Sequence, residues 1–208
     1  IAYSAKLVKT PTGYKVTIGS ISSKGTIAIK NTYTKFTKKL TVKISPTKVT
    51  YNGKTRKPAV KSVYYGKTKL STKYYTVSFK NNKNPGIGSV IVKGKGKYAK
   101  YAGSATFSIL PKTPARLSAK STAKKQATAT WKVSTGVTGY QVMISQKSDF
   151  RKGTTRTFTV ANAKKTSTVM KSMASGKTYY VRIRSYKKTS NGKTVYSAWS
   201  KSTKTKIK

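Results

Sequence analysis

Cysteine, histidine and glutamate do not occur in this chain of 208 residues, and aspartate occurs once, as Asp149. The missing cysteine excludes disulfides, thiol chemistry and every cysteine-based zinc site. The missing histidine excludes a serine triad. A lone carboxylate cannot supply the pair that glycoside hydrolysis normally needs, and general acid–base work is left to a tuned Lys or Tyr. A lysine nucleophile survives only on paper, because no pocket motif accompanies it. Gly94-Lys95-Gly96-Lys97 lacks the spacing and the following helix of a phosphate-binding loop. An intramolecular isopeptide bond joins Lys to Asn or Asp beside an acid, and Asp149 would have to serve in every role that needs one. The expectation is a chain that is not an enzyme and carries no cofactor, metal or catalytic residue. No run of about 18 apolar residues is present to span a membrane. No signal peptide is visible, and Ile1-Ala2-Tyr3 reads as an internal start, so the chain is expected to be a fragment of a longer secreted protein.

What is abundant is positive charge. Lys and Arg number 46 and the formal net charge is +45. Such a surface cannot form a salt-bridge network, repels itself and attracts polyanions. Solvation of the surface is the bland reading, but solubility seldom demands so complete a lack of acids. Hydrophobic residues make up 36% and aromatics 11%, with 15 Tyr among them, enough for a lean core. Val, Ile, Thr and Tyr favour strands, and helical periodicity is absent.

Three segments separate along the chain. In residues 1–44, Tyr14-Lys15-Val16-Thr17-Ile18, Thr26-Ile27-Ala28-Ile29-Lys30 and Leu40-Thr41-Val42-Lys43-Ile44 alternate as half-buried strands do. Three strands are too few for a closed sandwich. The segment is read as a partial immunoglobulin-like β module, either truncated or completed by another chain or a second copy. Residues 45–112 open at Pro46, with strands expected over 47–51, 74–79, 89–92 and 105–109. Tyr75, Val77 and Phe79 share one face, and Asn52-Gly53 is a turn pair of the type I′ kind. Leu110-Pro111-Lys112-Thr113-Pro114 is a stiff linker. Residues 113–208 carry strands over 128–131, 140–144, 157–160 and 179–186, and Asn191-Gly192 is read as a tight hairpin turn. Strands at this spacing define an all-β chain of tandem β-sandwiches, expected to touch each other little.

Residues 51–109 resemble a bacterial immunoglobulin-like repeat of Clostridia-type surface proteins. The resemblance rests on Tyr51-Asn52-Gly53-Lys54, Pro58-Ala59-Val60, Gly66-Lys67, Tyr75-Thr76-Val77-Ser78-Phe79, Asn84-Pro85-Gly86 and the stretch from Val92 to Tyr98. The family's acid before the aromatic strand is replaced here by Lys73-Tyr74, so acid-dependent metal binding would be lost. Residues 114–208 resemble a fibronectin type III module through Pro114, Trp131, Gly139-Tyr140-Gln141-Val142, Asp149-Phe150, the run 176–184 and Tyr196-Ser197-Ala198-Trp199-Ser200. The resemblance implies a structural core of Trp131, Tyr140 and Tyr179, with Tyr179 at the tyrosine corner. The segment around Trp199 is similar to the tryptophan-serine box of cytokine receptors. It implies a cation–π ladder of Arg182, Arg184 and Trp199, structural in the first reading and able to bind sugars or bases in the second.

Together these readings imply an extracellular protein of the bacterial cell surface, a context in which Gram-positive modules commonly lack disulfides. It would be a modular structural or adhesive stalk whose charge favours teichoic acid, other anionic wall polymers or host glycans. Two alternatives stay open. One is a subunit of an extracellular fibre, self-associating through residues 1–44 by strand addition. The other is a protein that binds nucleic acid non-specifically, although its lysines are spread over all three segments and not gathered into one stripe.

Overall fold

The structure is a computed structural model, and it describes residues 5–10, 13–18 and 38–208. Two compact units result, divided after Thr34. In the first, β1 (Ala5–Thr10) and β2 (Gly13–Ile18) form an antiparallel hairpin that pairs Ala5 with Ile18 and Thr10 with Gly13. The expected strand over 14–18 is therefore present, whereas the one over 26–30 lies outside the described residues.

The second unit takes in everything from residue 38 onward and begins with a two-sheet β-sandwich. One sheet holds β3 (Lys38–Lys39), β8 (Tyr75–Lys80), β9 (Gly86–Gly94) and β10 (Tyr101–Leu110) in the order β3-β10-β9-β8, with β5 (Lys48–Thr50) parallel to the end of β10. The other is β4 (Thr41–Ser45), β6 (Ala59–Tyr65) and β7 (Thr68–Lys69), in the order β4-β6-β7. This corrects the boundary placed at residue 44. The 41–45 strand pairs with 59–65, with Val42 opposite Val63, so it completes the sandwich that follows it. Leu40, fully buried beside Val63, Leu70 and Val92, is drawn in with it. The second cluster of this sandwich is Val49, Val90, Phe107 and Ile109. Gly88 stands directly opposite Phe107 in the β9–β10 register and makes room for its ring, since an added Cβ would lie 2.5 Å from Phe107 Cζ.

Two local expectations change. Asn52-Gly53 is no type I′ hairpin: Asn52 Oδ1 accepts from Lys54 N–H at 3.1 Å, Gly53 alone is left-handed (φ 83°), and the flanking strands lie in different sheets. Val77 is 39% exposed on edge strand β8, while Tyr75 and Phe79 pack against the two clusters.

Residues 115–206 form a second sandwich. One sheet is β11 (Ala115–Ala123), β12 (Gln126–Lys132) and β15 (Ser167–Met170). The other runs β14 (Thr155–Val160), β13 (Gly139–Ser145), β16 (Thr178–Lys188), β17 (Thr194–Tyr196), with β18 (Thr203–Lys206) also on β16. The alternating burial of β16, with Tyr179, Val181, Ile183 and Ser185 inward and Arg182 and Arg184 outward, is what a two-residue period requires. The loop at Asn191-Gly192 closes β16 and β17 with Gly192 left-handed (φ 77°), and Thr189 N–H donates to Lys193 O at 2.8 Å.

The two sandwiches touch, against the expectation of little contact. Pro111 and Pro114 are both buried. The carbonyl of Lys112 accepts from Ser185 Oγ at 2.8 Å, and Thr113 Oγ1 donates to Ala198 O at 3.1 Å. The linker is thereby seated on strand β16 and the segment beyond β17, which brings the loops of both sandwiches together. Pro85 lies against Gly136, and Gly86 against Thr189.

In the second core Trp131 and Tyr140 pack at 5.2 Å between ring centroids with their planes tilted by 54°, 4% and 0% exposed. Tyr140 Oη accepts from Ser134 N–H and donates to Ala163 O, both at 2.9 Å, so a buried phenol is satisfied on both sides. Burial pushes its pKa up, with the Ser134 bond opposing. A raised folded-state pKa gives stability that is intact below the ordinary phenol value of about 10 and is lost as pH climbs through the folded value. Tyr140→Phe should therefore cost about 1–2 kcal/mol at neutral pH. Its stability should also fall less than the wild type's between about pH 8 and about pH 11, as read by denaturant melts at both.

Candidate functional site

Among the described residues no group of His, Cys, Asp and Glu could hold a metal ion, and no helix is long and apolar enough to cross a membrane. The chemistry with most structure around it lies on the outer face of the β14-β13-β16-β17 sheet. There strand alternation turns Arg182 and Arg184 outward side by side. Strand β17 ends at Tyr196, and residues 197–200 leave regular pairing. Two serine hydroxyls take over as strand partners. Ser197 Oγ accepts from Ser185 N–H, and Ser200 Oγ accepts from Ile183 N–H, both at 3.0 Å. The backbone returns the contact, with Ser197 N–H donating to Ser185 O at 3.0 Å and Ser200 N–H to Ile183 O at 2.8 Å. Clamped on either side, the segment holds Trp199 half-buried over the arginines.

The result is an alternating stack of rings and guanidinium groups. The Arg182 guanidinium carbon lies 4.1 Å from the centroid of Phe150 and 4.8 Å from Trp199. That of Arg184 lies 4.4 Å from Trp199 and 3.9 Å from Tyr196. Neutral acceptors on β13 join the stack, because register sets Gln141 opposite Arg184 and Met143 opposite Arg182. Gln141 Oε1 accepts from Arg184 Nε at 2.9 Å and from Nη2 at 2.7 Å, and Met143 Sδ lies 3.2 Å from Arg182 Nη2. Arg182 Nε is buried without a partner among the described residues. Burial lowers the pKa of both guanidinium groups; for Arg184 the Tyr196 phenol opposes the shift and the charge of Arg182 adds to it. Both remain protonated, because a guanidinium is not deprotonated in proteins.

The structure thus places Arg182, Arg184 and Trp199 in one stack. It adds Phe150 and Tyr196, which sequence reasoning left out of the ladder. Phe150 adopts φ 54° beside Asp149, whose Oδ1 accepts from Arg151 N–H at 3.1 Å, and that turn delivers the ring to Arg182. Tyr196 joins through its register opposite Tyr186 at the end of β17, a long-range pairing that alternation alone does not announce. Trp131, Tyr140 and Tyr179 lie in the core. Tyr179 Oη accepts from Ala174 N–H at 3.1 Å, tying the loop before β16 to the strand, and from Gln146 Nε2 at 3.0 Å.

No protein-family profile and no curated protein sequence matches the chain. Solved structures similar to part of it include fibronectin type III domains. An Fn3-like protein from Clostridium thermocellum shares 24% identity over 47% of this chain and 94% of its own, with a TM-score of 0.37. The fn3 domain of human collagen alpha-1(XX) shares 14% over 47% of this chain and 86% of its own, TM-score 0.38. The FN5 domain of Drosophila Lar shares 16% over 47% and 98%, TM-score 0.35. The strand order and register of residues 115–206 carry the β-sandwich assignment by themselves.

A stack that depends on flat guanidinium groups should not tolerate lysine. Arg184→Lys loses the paired bonds to Gln141 and most of the contact with Trp199 and Tyr196. It should lower stability by about 1–2 kcal/mol and shift Trp199 emission, measured by denaturant melts followed through tryptophan fluorescence.

Proposed function

We propose that the chain is a non-catalytic part of a bacterial cell-surface protein, a stalk or arm of β-sandwich modules that associates with anionic polymers. The observation that carries this reading is 46 Lys and Arg set against a single carboxylate side chain. On a rigid sandwich nearly all of that charge must face solvent, because each sandwich interior is filled by apolar residues. The arginine–aromatic stack fits a mechanical role. Its cations are engaged by rings and neutral acceptors of the same sheet, so it stiffens the outer face of the second module and contributes little free charge to a ligand. The exposed lysines are the part available to wall polymers or host glycans, through counterion release.

Opposed salt dependences test the proposal. Screening lengths shrink from about 30 Å at 10 mM salt to about 8 Å at physiological salt. Self-repulsion therefore weakens, and the melting temperature should rise along a salt series. Affinity for teichoic acid and for sulfated glycan should fall along the same series, and both polymers should raise the melting temperature at low salt. A melting temperature flat in salt, or no binding to either polymer at low salt, would overturn the reading.

A further inference from the structure

At the junction of the two sandwiches lies a groove of about 550 Å³, walled by residues 81–87 on one side and 187–190 on the other. It falls in the range of ligand-sized clefts, about 300 to 1,000 Å³. Neither sandwich makes it alone. The first supplies the loop between β8 and β9, and the second the end of β16 and the turn that follows. Both walls are held. Asn82 Nδ2 donates to Arg56 O at 3.1 Å, and Arg56 N–H donates to Asn82 O at 2.6 Å. On the other wall Lys188 N–H donates to Thr138 Oγ1 at 3.0 Å, and Thr189 Oγ1 donates to Lys193 O at 2.8 Å. Gly86, buried between the walls, has φ 144°, a backbone angle that favours glycine, and its Cβ position faces Thr189 Cγ2 at an ordinary contact distance of 3.6 Å.

The lining chemistry is specific in kind. Lys83 comes from one module and Lys187 and Lys188 from the other, with no carboxylate among the lining residues. Between them stand the amides of Asn81 and Asn84, which make no hydrogen bond among the described residues, and the Ser190 hydroxyl. Lysines attract any anion. Amides and a hydroxyl, which both donate and accept, match a chain whose charges are interspersed with hydroxyl groups. We propose that this inter-module groove is a binding site for a segment of an anionic, hydroxyl-bearing polymer, in which phosphate, sulfate or carboxylate groups meet Lys83, Lys187 and Lys188 and neighbouring hydroxyls meet Asn81, Asn84 and Ser190. This rests on the polyanion reading above and locates it. A phosphodiester wall polymer and a sulfated or uronate-bearing glycan share the chemistry.

The test compares two triple variants of equal charge on the whole chain. Lys83→Ser, Lys187→Thr and Lys188→Thr empty the groove, whereas Lys61→Ser, Lys120→Thr and Lys152→Ser remove exposed lysines elsewhere. A third variant, Asn81→Gly with Asn84→Ala, keeps the charge; glycine is chosen because Asn81 has φ 54°. Titrations use short poly(glycerol phosphate), a heparin-derived oligosaccharide, polyglutamate and single-stranded DNA, with melting curves confirming that each variant folds. The expected result is a loss of about tenfold or more for the first two ligands in the groove variant, with the salt slope reduced by about 2, on the basis of about 0.7 per contact. The control variant should change each by markedly less. The asparagine variant should weaken the two hydroxyl-bearing ligands severalfold and leave polyglutamate unchanged. Whichever of the two binds tighter identifies the source. Equal losses in both lysine variants, or DNA bound through the groove as tightly as the glycan, would overturn the site while leaving general polyanion association standing. No binding of any polymer by the wild type would overturn the broader reading instead.

Discussion

The scarcity of carboxylates is the constraint on which the rest of the molecule depends. With 46 cationic side chains and one aspartate, each cation must be solvated or find a neutral partner. The structure shows three kinds of neutral partner. Aromatic rings take Arg182 and Arg184, and also Lys73 and Lys97, whose ammonium groups lie 5.0 Å and 5.8 Å from the Tyr74 centroid. Backbone carbonyls take Arg156, which donates to Ser172 O at 2.7 Å and Lys171 O at 2.8 Å. A side-chain amide takes Arg184 through Gln141. The abundance of tyrosine, 15 residues, fits this division of labour. Rings pack against the core on one side and offer a negative face to cations on the other.

The same constraint separates the two roles of positive charge. Arg156, Arg182 and Arg184 sit where flat stacking or paired hydrogen bonds hold them and act within the fold, whereas Arg116 and Arg151 are exposed. Lysines, with strongly hydrated point charges, stay outside and give the surface its field. A self-repelling surface favours extended arrangements, yet the junction between the sandwiches is closed. It is closed by contacts that involve no charge pair: prolines, glycines, a serine and a threonine on backbone carbonyls.

Much of this was legible in the residues. Two-residue alternation marked most of the longer strands, and the motif around Trp131, Tyr140 and Trp199 located the second sandwich. Alternation could not say which neighbour a strand serves, and so the 41–45 strand was assigned to the segment before it. Only the register with 59–65 decides that, and it is a long-range property. Strands β11 and β15 were missed because Ala, Ser and Thr dominate them and their hydrophobic signal is weak. The serine hydroxyls that replace strand pairing at 197–200, and the turn that carries Phe150 to Arg182, depend on geometry that no periodicity announces. The groove was unreadable for the same reason, being made by two loops far apart in sequence.

In this molecule aromatic rings stand in for carboxylates as the partners of arginine. A double-mutant cycle on Trp199→Leu and Arg184→Met, measured by denaturant unfolding at low and at high salt, tests it most directly. Coupling between the two side chains should be favourable by about 0.5–1 kcal/mol or more. It should be nearly the same at both salt levels, because a half-buried stacked pair is screened far less than surface charges. Coupling near zero, or coupling that vanishes as salt rises, would contradict the claim.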